Sequence, residues 1–226
     1  MEVLDWVAIG FWSCVLAITF GVFSILFQKY TEFKEKTKNQ FAFCLVFLCL
    51  GIGRNLLLYF DYFLTELNAG RYADFQVLWR FATLFELAGL GVLILVSEYA
   101  VFKGKDYYLF FIGFAILVAV GLFFIQDFFL AQSVTVAAVG FTAFIPISYI
   151  YMAIKLPMAR RNVLILLIGF LIFGAGLILM SAGVVDLLGI GFIHILYLLS
   201  AIIQIPGLLL IAVGIKRMYF TEKVWG

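Results

Sequence analysis

Apolar residues in this chain run in long unbroken blocks, not in strict alternation and not in narrow helical stripes. A helix rises about 1.5 Å per residue, so crossing the roughly 30 Å hydrocarbon layer of a bilayer takes about 20 apolar residues. Seven blocks reach that length: 6–27, 41–60, 76–99, 107–126, 130–154, 162–183 and 191–215. The pattern predicts an all-α fold, a seven-transmembrane-helix bundle forming one membrane domain over 1–226. The fourth block, YYLFFIGFAILVAVGLFFIQ, carries no charge. The second and third hold Arg54 and Glu86 inside them. The first block lacks a basic leader and is too long for a signal peptide, so it reads as a retained helix.

Composition agrees. Apolar residues make up 66% of the 226 and charged residues 12%, against about 25% charged in soluble domains. Only lipid as solvent accounts for so much apolar surface, and no polar stretch is long enough for a separate soluble domain. Cys14, Cys44 and Cys49 all fall inside apolar blocks and read as free, small, buried side chains. His194 is the single histidine, which excludes a multi-histidine metal site or a bis-histidine haem within one chain.

Charge changes the picture through its placement. Every basic residue except Arg54, Arg71 and Arg80 lies in alternate loops or the tail, from Lys29, Lys34, Lys36 and Lys38 to Lys216, Arg217 and Lys223. The intervening loops carry acids instead, including Asp5, Asp61, Glu66, Asp74 and Asp127. The positive-inside rule then places the basic loops in the cytoplasm. With seven helices, the N-terminus lies outside and the C-terminus in the cytoplasm of a multi-pass cell-membrane protein. The loops are short, so sequential helices are expected to be neighbours.

Small residues mark packing. Gly169, Gly176 and Gly183 recur at seven-residue spacing in the sixth block, and Gly207 and Gly214 in the seventh, so each set lies on nearly one face. Such faces let helix backbones approach closely in lipid. They predict packing of the sixth helix on the seventh, with a homo-oligomer seam as the sharper alternative. Pro146 and Pro206 fall at similar depth and bend their helices, either as static shape or as a pair of hinges.

The candidate chemistry sits in the buried charges, which are costly within a span. In an antiparallel hairpin, residues at equal depth have a constant sum of residue numbers. Arg54 and Glu86 sum to nearly the same value as Asp61 and Arg80. The register predicts a deep Arg54–Glu86 pair and an outer Asp61–Arg80 ion pair. Arg80 and Glu86 are six residues apart, however, and point about 120° away from each other. The deep pair reads either as a structural clamp or as the polar floor of a ligand or ion site with Asn55, His194 and Gln204. Glu98 reads as a salt-bridge residue near the lysine-rich loop.

Several functions are excluded on residues. No lysine lies within a span, so a retinal Schiff base has no anchor. No nucleophile and base stand together, no cluster has metal-ligand spacing, and no enzyme activity, cofactor or metal is expected. The basic loops fit the inside rule and give no argument for nucleic acid. The segments LWRFATLFELAGLGVLILVSEYAVFKGKDYY (78–108) and IIQIPGLLLIAVGIKRMYF (202–220) resemble, at the level of topology, the seven-transmembrane input regions of histidine-kinase-type sensors. They are also similar to stand-alone archaeal seven-helix membrane proteins. The resemblance implies a sensor or receptor with an outward-facing polar site. Because only about ten residues follow the last helix, its output is expected to go to a separate membrane or cytoplasmic signalling partner. The alternatives are a small-solute or ion transporter and an accessory subunit of a membrane complex.

Overall fold

The structure, a computed structural model, describes residues 3–32, 37–102, 108–180, 182–189 and 192–220. Among these, six helices are long and apolar enough to cross a membrane: α1 (Val3–Glu32), α2 (Lys38–Leu64), α3 (Ala69–Val101), α5 (Phe128–Lys155), α6 (Arg160–Leu179) and α7 (Ile193–Tyr219). A shorter apolar helix, α4 (Leu109–Phe124), stands between α3 and α5. The protein is an apolar helical bundle of the multi-pass membrane class. The block with the cleanest apolar sequence is thus the shortest of these seven helices.

Local chemistry sets the helix ends. Thr37 starts α2 with a capping box: its hydroxyl accepts from the Gln40 backbone, and the Gln40 side chain accepts from the Thr37 N–H. That arrangement satisfies two of the donors a helix start leaves unpaired. Gln40 then donates to the Tyr219 carbonyl at 2.7 Å, tying the start of α2 to the end of α7. Asp127 accepts from Leu130 N–H at 2.8 Å and starts α5. Within α5, Pro146 has no N–H to offer the Thr142 carbonyl, and the preceding turn, Gly140–Ala143, tightens to a 3-10 helix.

The helices form a closed circuit. α1 packs on α2 and α7, α2 on α3, α3 on α4 and on the second half of α5, and α6 on that half of α5 and on α7. α1 therefore fills the cleft between α2 and α7, and α4 fills the cleft between α3 and α5. Among the described residues, no helix fills the corresponding cleft between α5 and α6. There the first half of α5 (Phe128–Val139) stands off α6.

The α6–α7 contact is the most extensive in the bundle. A Cβ on Gly169 would lie 2.8 Å from the Ile211 backbone nitrogen, and one on Gly207 2.7 Å from that of Phe173. Gly176 lies against Gln204 and the Ser200 carbonyl, and Gly214 against Leu166. The glycine faces meet within the chain, as the packing reading expects. Gly183 lies outside the residues whose surroundings are described. Two further glycines do similar work between α2 and α3: a Cβ on Gly53 would lie 2.8 Å from the Ala82 carbonyl, and one on Gly89 3.2 Å from that of Val46. Cys44 and Cys49 are buried free thiols, whereas Cys14 is exposed on the outer face of α1, which corrects the expectation that it is buried.

Candidate functional site

Arg54 and Glu86 meet between α2 and α3, with Nη2 and Oε1 2.8 Å apart. Both side chains are largely buried. Two other groups confine the guanidinium. The Trp12 ring of α1 lies under it at 4.7 Å, a cation–π distance. Met180 Sδ, at the end of α6, is 3.7 Å from Nη1. Gly53 makes the approach possible, because a Cβ there would lie 2.6 Å from Glu86 Cγ.

The pair lies on the wall of a cavity of about 690 Å³ lined by α2, α3, α5, α6 and α7. Asp61 lines the same cavity. It is seven residues beyond Arg54 and so nearly on the same face of α2. Phe60, Tyr72, Trp79 and Tyr197 stand around that end. Phe60 and Tyr72 rings are 5.3 Å apart, and Phe128 packs edge-on against Trp79 at 5.0 Å. Asp61 sits in a widened last turn, Tyr59–Leu64, where Thr65 N–H donates five residues back to the Phe60 carbonyl. Such π turns occur often at functional sites. The chain then reverses through Glu66 and Leu67, both left-handed at φ 54° and 57°, a conformation costly for residues with a Cβ.

The other sequence candidates lie elsewhere. Asp61 and Arg80 do not form the expected outer ion pair. Arg80 turns to α4, donating to the carbonyls of Leu122 and Ile125 at 2.6 Å each and of Gln126 at 3.3 Å. Equal depth brought the two residues level, but the six-residue offset from Glu86 aims Arg80 off the α2 face. Asn55 is exposed on the outside of α2, because adjacent helical residues diverge by about 100° and only Arg54 can face inward. His194 does not reach the cavity. It binds Asp5 of α1, Nδ1 to Oδ1 at 2.5 Å, and joins the starts of α1 and α7. Gln204 lies behind the ion pair on a small void of about 20 Å³ shared with Arg54 and Glu86, and donates to Ser200 Oγ at 2.9 Å. Pro146 is on the cavity wall, while Pro206 is exposed within α7.

Glu98 has backbone partners, while Lys34 and Lys36 of the lysine-rich loop, near which it was expected to form a salt bridge, lie outside the described residues. Among the described residues the Glu98 carboxylate accepts the backbone N–H groups of Phe110 and Phe111 at 2.8 and 3.1 Å, at the start of α4. It is 1% exposed. α3 thus holds both ends of α4, an acid at the N-terminus and a base at the C-terminus, the signs the helix dipole favours.

The cavity wall offers one cation and two carboxylates on an otherwise apolar surface. Among the described residues no three His, Cys, Asp or Glu side chains gather as metal ligands. The chain matches no protein-family model, no curated protein and no solved structure.

Proposed function

We propose that the protein is a receptor-like or sensor-like membrane protein whose ligand site is the cavity beside Arg54, Glu86 and Asp61. The single observation that carries the reading is the cavity itself. Its volume falls within the roughly 300–1,000 Å³ typical of small-molecule pockets, and it has their usual composition of apolar walls with a few convergent polar groups. A bundle serving only as an accessory subunit needs no such space. A conduit needs a polar path through the bundle. Away from Asp61 and the ion pair, toward the basic end, the wall consists of residues such as Leu93, Ile145, Ile211 and Ile215, which supports a site that ends blindly toward that end over a channel.

In this reading the acidic end of the bundle lies outside and the lysine-rich end in the cytoplasm, as the charge bias of the loops supports. The signal leaves through the basic face to a separate partner, carried by α5 and α7 with their prolines. Orientation is checked by an impermeant thiol reagent applied from outside to variants without native cysteines. Asp74→Cys is expected to label and Arg161→Cys to stay protected; the reverse result overturns the orientation.

The ligand site is tested with Gly174→Trp. Gly174 lines the cavity and has open space where a Cβ would stand, so a large side chain there is expected to take up cavity space. Native mass spectrometry of protein extracted with its lipids is expected to find a small molecule on the wild type that the variant lacks. If both proteins carry the same adducts, or none, the cavity is not the site.

A further inference from the structure

Asp61 stands apart from the other interior charges. Arg54 meets Glu86 and Trp12. Asp5 meets His194. Glu98 holds two backbone N–H groups, and Arg80 holds carbonyls of α4. Asp61 is only 7% exposed. Among the described residues its carboxylate accepts no hydrogen bond and forms no ion pair; only its backbone carbonyl is used, by Thr65 Oγ1 and Leu67 N–H. Buried carboxylates are normally paired, and this one lines the cavity.

The surroundings specify the missing partner. The cavity wall has two acids, Asp61 and Glu86, and one base, Arg54, which is already matched by Glu86. The formal surplus is negative and sits at Asp61, on the same cavity wall as Tyr72 and Tyr197. Phe60, Trp79 and Tyr197 are buried there, and Tyr72 has a buried hydroxyl. Aromatic residues of a membrane-interface belt face lipid; these line the interior. Aromatic faces beside a carboxylate attract an ammonium group, quaternary ones included.

The walls also show a way in. Val136 on α5 and Leu171 and Ile178 on α6 line the cavity and are at the same time 49%, 54% and 62% exposed. They flank the unfilled cleft between α5 and α6, so the cavity opens sideways, where lipid would be. We propose that the cavity takes a membrane-borne, single-chain amphipath with an ammonium head. The head sits at Asp61 among Phe60, Tyr72, Trp79 and Tyr197, and the apolar body occupies the rest of the cavity, entering between α5 and α6. This assignment rests on the receptor reading of the same cavity and names the class of its ligand.

The experiment uses the full chain in nanodiscs of phosphatidylglycerol, a lipid without an ammonium group. Affinities are measured for dodecyltrimethylammonium, dodecanol, dodecyl sulfate and tetramethylammonium. The dodecyl ammonium is expected to bind at least about tenfold tighter than dodecanol, a factor worth about 1.4 kcal/mol, and dodecyl sulfate weakest of the three. Asp61→Asn in the same discs is expected to lose that preference and keep dodecanol binding, while Asp61→Glu keeps both. Should Asp61→Asn not fold, Trp79→Leu is expected to weaken the ammonium probe alone. A preference that survives in Asp61→Asn reflects the anionic disc and overturns the cation site, leaving the ligand cavity standing. Tetramethylammonium binding as tightly as the dodecyl probe overturns the membrane-borne source. If no probe binds the wild type and Gly174→Trp changes nothing, the receptor reading falls together with the inference.

Discussion

The two sides of α6 solve the same problem differently. Against α7, glycines bring the helices together until backbone atoms nearly touch. Against α5, the helix is met only along one half, and the other half faces a cleft that leads to the cavity. Dispersion and close backbone approach drive helix association in lipid, since burial of apolar surface gains little there. Leaving a cleft unfilled therefore forfeits contacts, and the bundle makes its most extensive helix contact on the opposite side. In the proposed reading, the seam is the fixed wall and the α5–α6 cleft the side that admits the ligand.

The strongest way to break this contrast is to put the same side chain on each side. Gly207→Leu places its Cβ against the Phe173 backbone, where nothing can yield, since the nearest atom stands at 2.7 Å. Loss of folded protein is expected. Gly174→Leu, on the open side, meets nothing within 4 Å of its Cβ. Its melting temperature is expected to stay close to that of the wild type. Equal melting behaviour of the two variants removes the distinction between seam and cleft.

The ion pair lies where the two sides join, since Arg54 and Glu86 touch both the large cavity and the small void next to Gln204. Removing one partner leaves the other charge unmatched in a poorly solvated place, which costs about 3–5 kcal/mol in buried pairs of soluble proteins. Arg54→Ala and Glu86→Ala are each expected to destabilise on that scale, and the double variant by less than their sum. A thermal double-mutant cycle measures the coupling. Additive effects would mean that Trp12 and Met180, rather than Glu86, hold the guanidinium in place.

The sequence made these regions legible to different degrees. The α6–α7 seam was open to view because seven-residue glycine spacing is a one-dimensional signal for a shared face. The Arg54–Glu86 contact followed from equal depth in a hairpin. The same rule failed for Arg80 because depth ignores azimuth. A second signal was present in the numbering: Arg80 and Glu98 are 18 residues apart, about five full turns and about 27 Å, so they share a face and bracket a helix the length of α4. The cavity had no such signature. It exists because α5 diverges from α6 on the far side of the tight Gly140–Ala143 turn, and space left among five helices is not written in any one of them. Asp61 was visible only as half of an outer ion pair; its burial without a partner depended on where Arg80 went.

The smallest expected effect concerns α4, which fills the α3–α5 cleft as nothing described fills the α5–α6 cleft. Its own sequence is apolar all round, so its position depends on the two ends that α3 holds. Glu98→Gln keeps the size of the side chain but removes the charge that accepts the Phe110 and Phe111 N–H groups. Arg80→Gln removes the donors to Leu122 and Ile125. Hydrogen bonds to charged groups contribute about 1.5–3 kcal/mol each, and the amide of glutamine recovers part of that, so a loss of about 1–2 kcal/mol per variant is expected. Hydrogen exchange locates it: Glu98→Gln should speed exchange at the start of α4, and Arg80→Gln at its last turn, while the α6–α7 seam keeps its protection. If exchange rises evenly over the bundle, α4 is not a separately held filler. If it rises only in α4, the α3–α5 cleft is closed by two side chains, and the contrast with the open α5–α6 cleft comes down to the presence of a helix fastened at both ends.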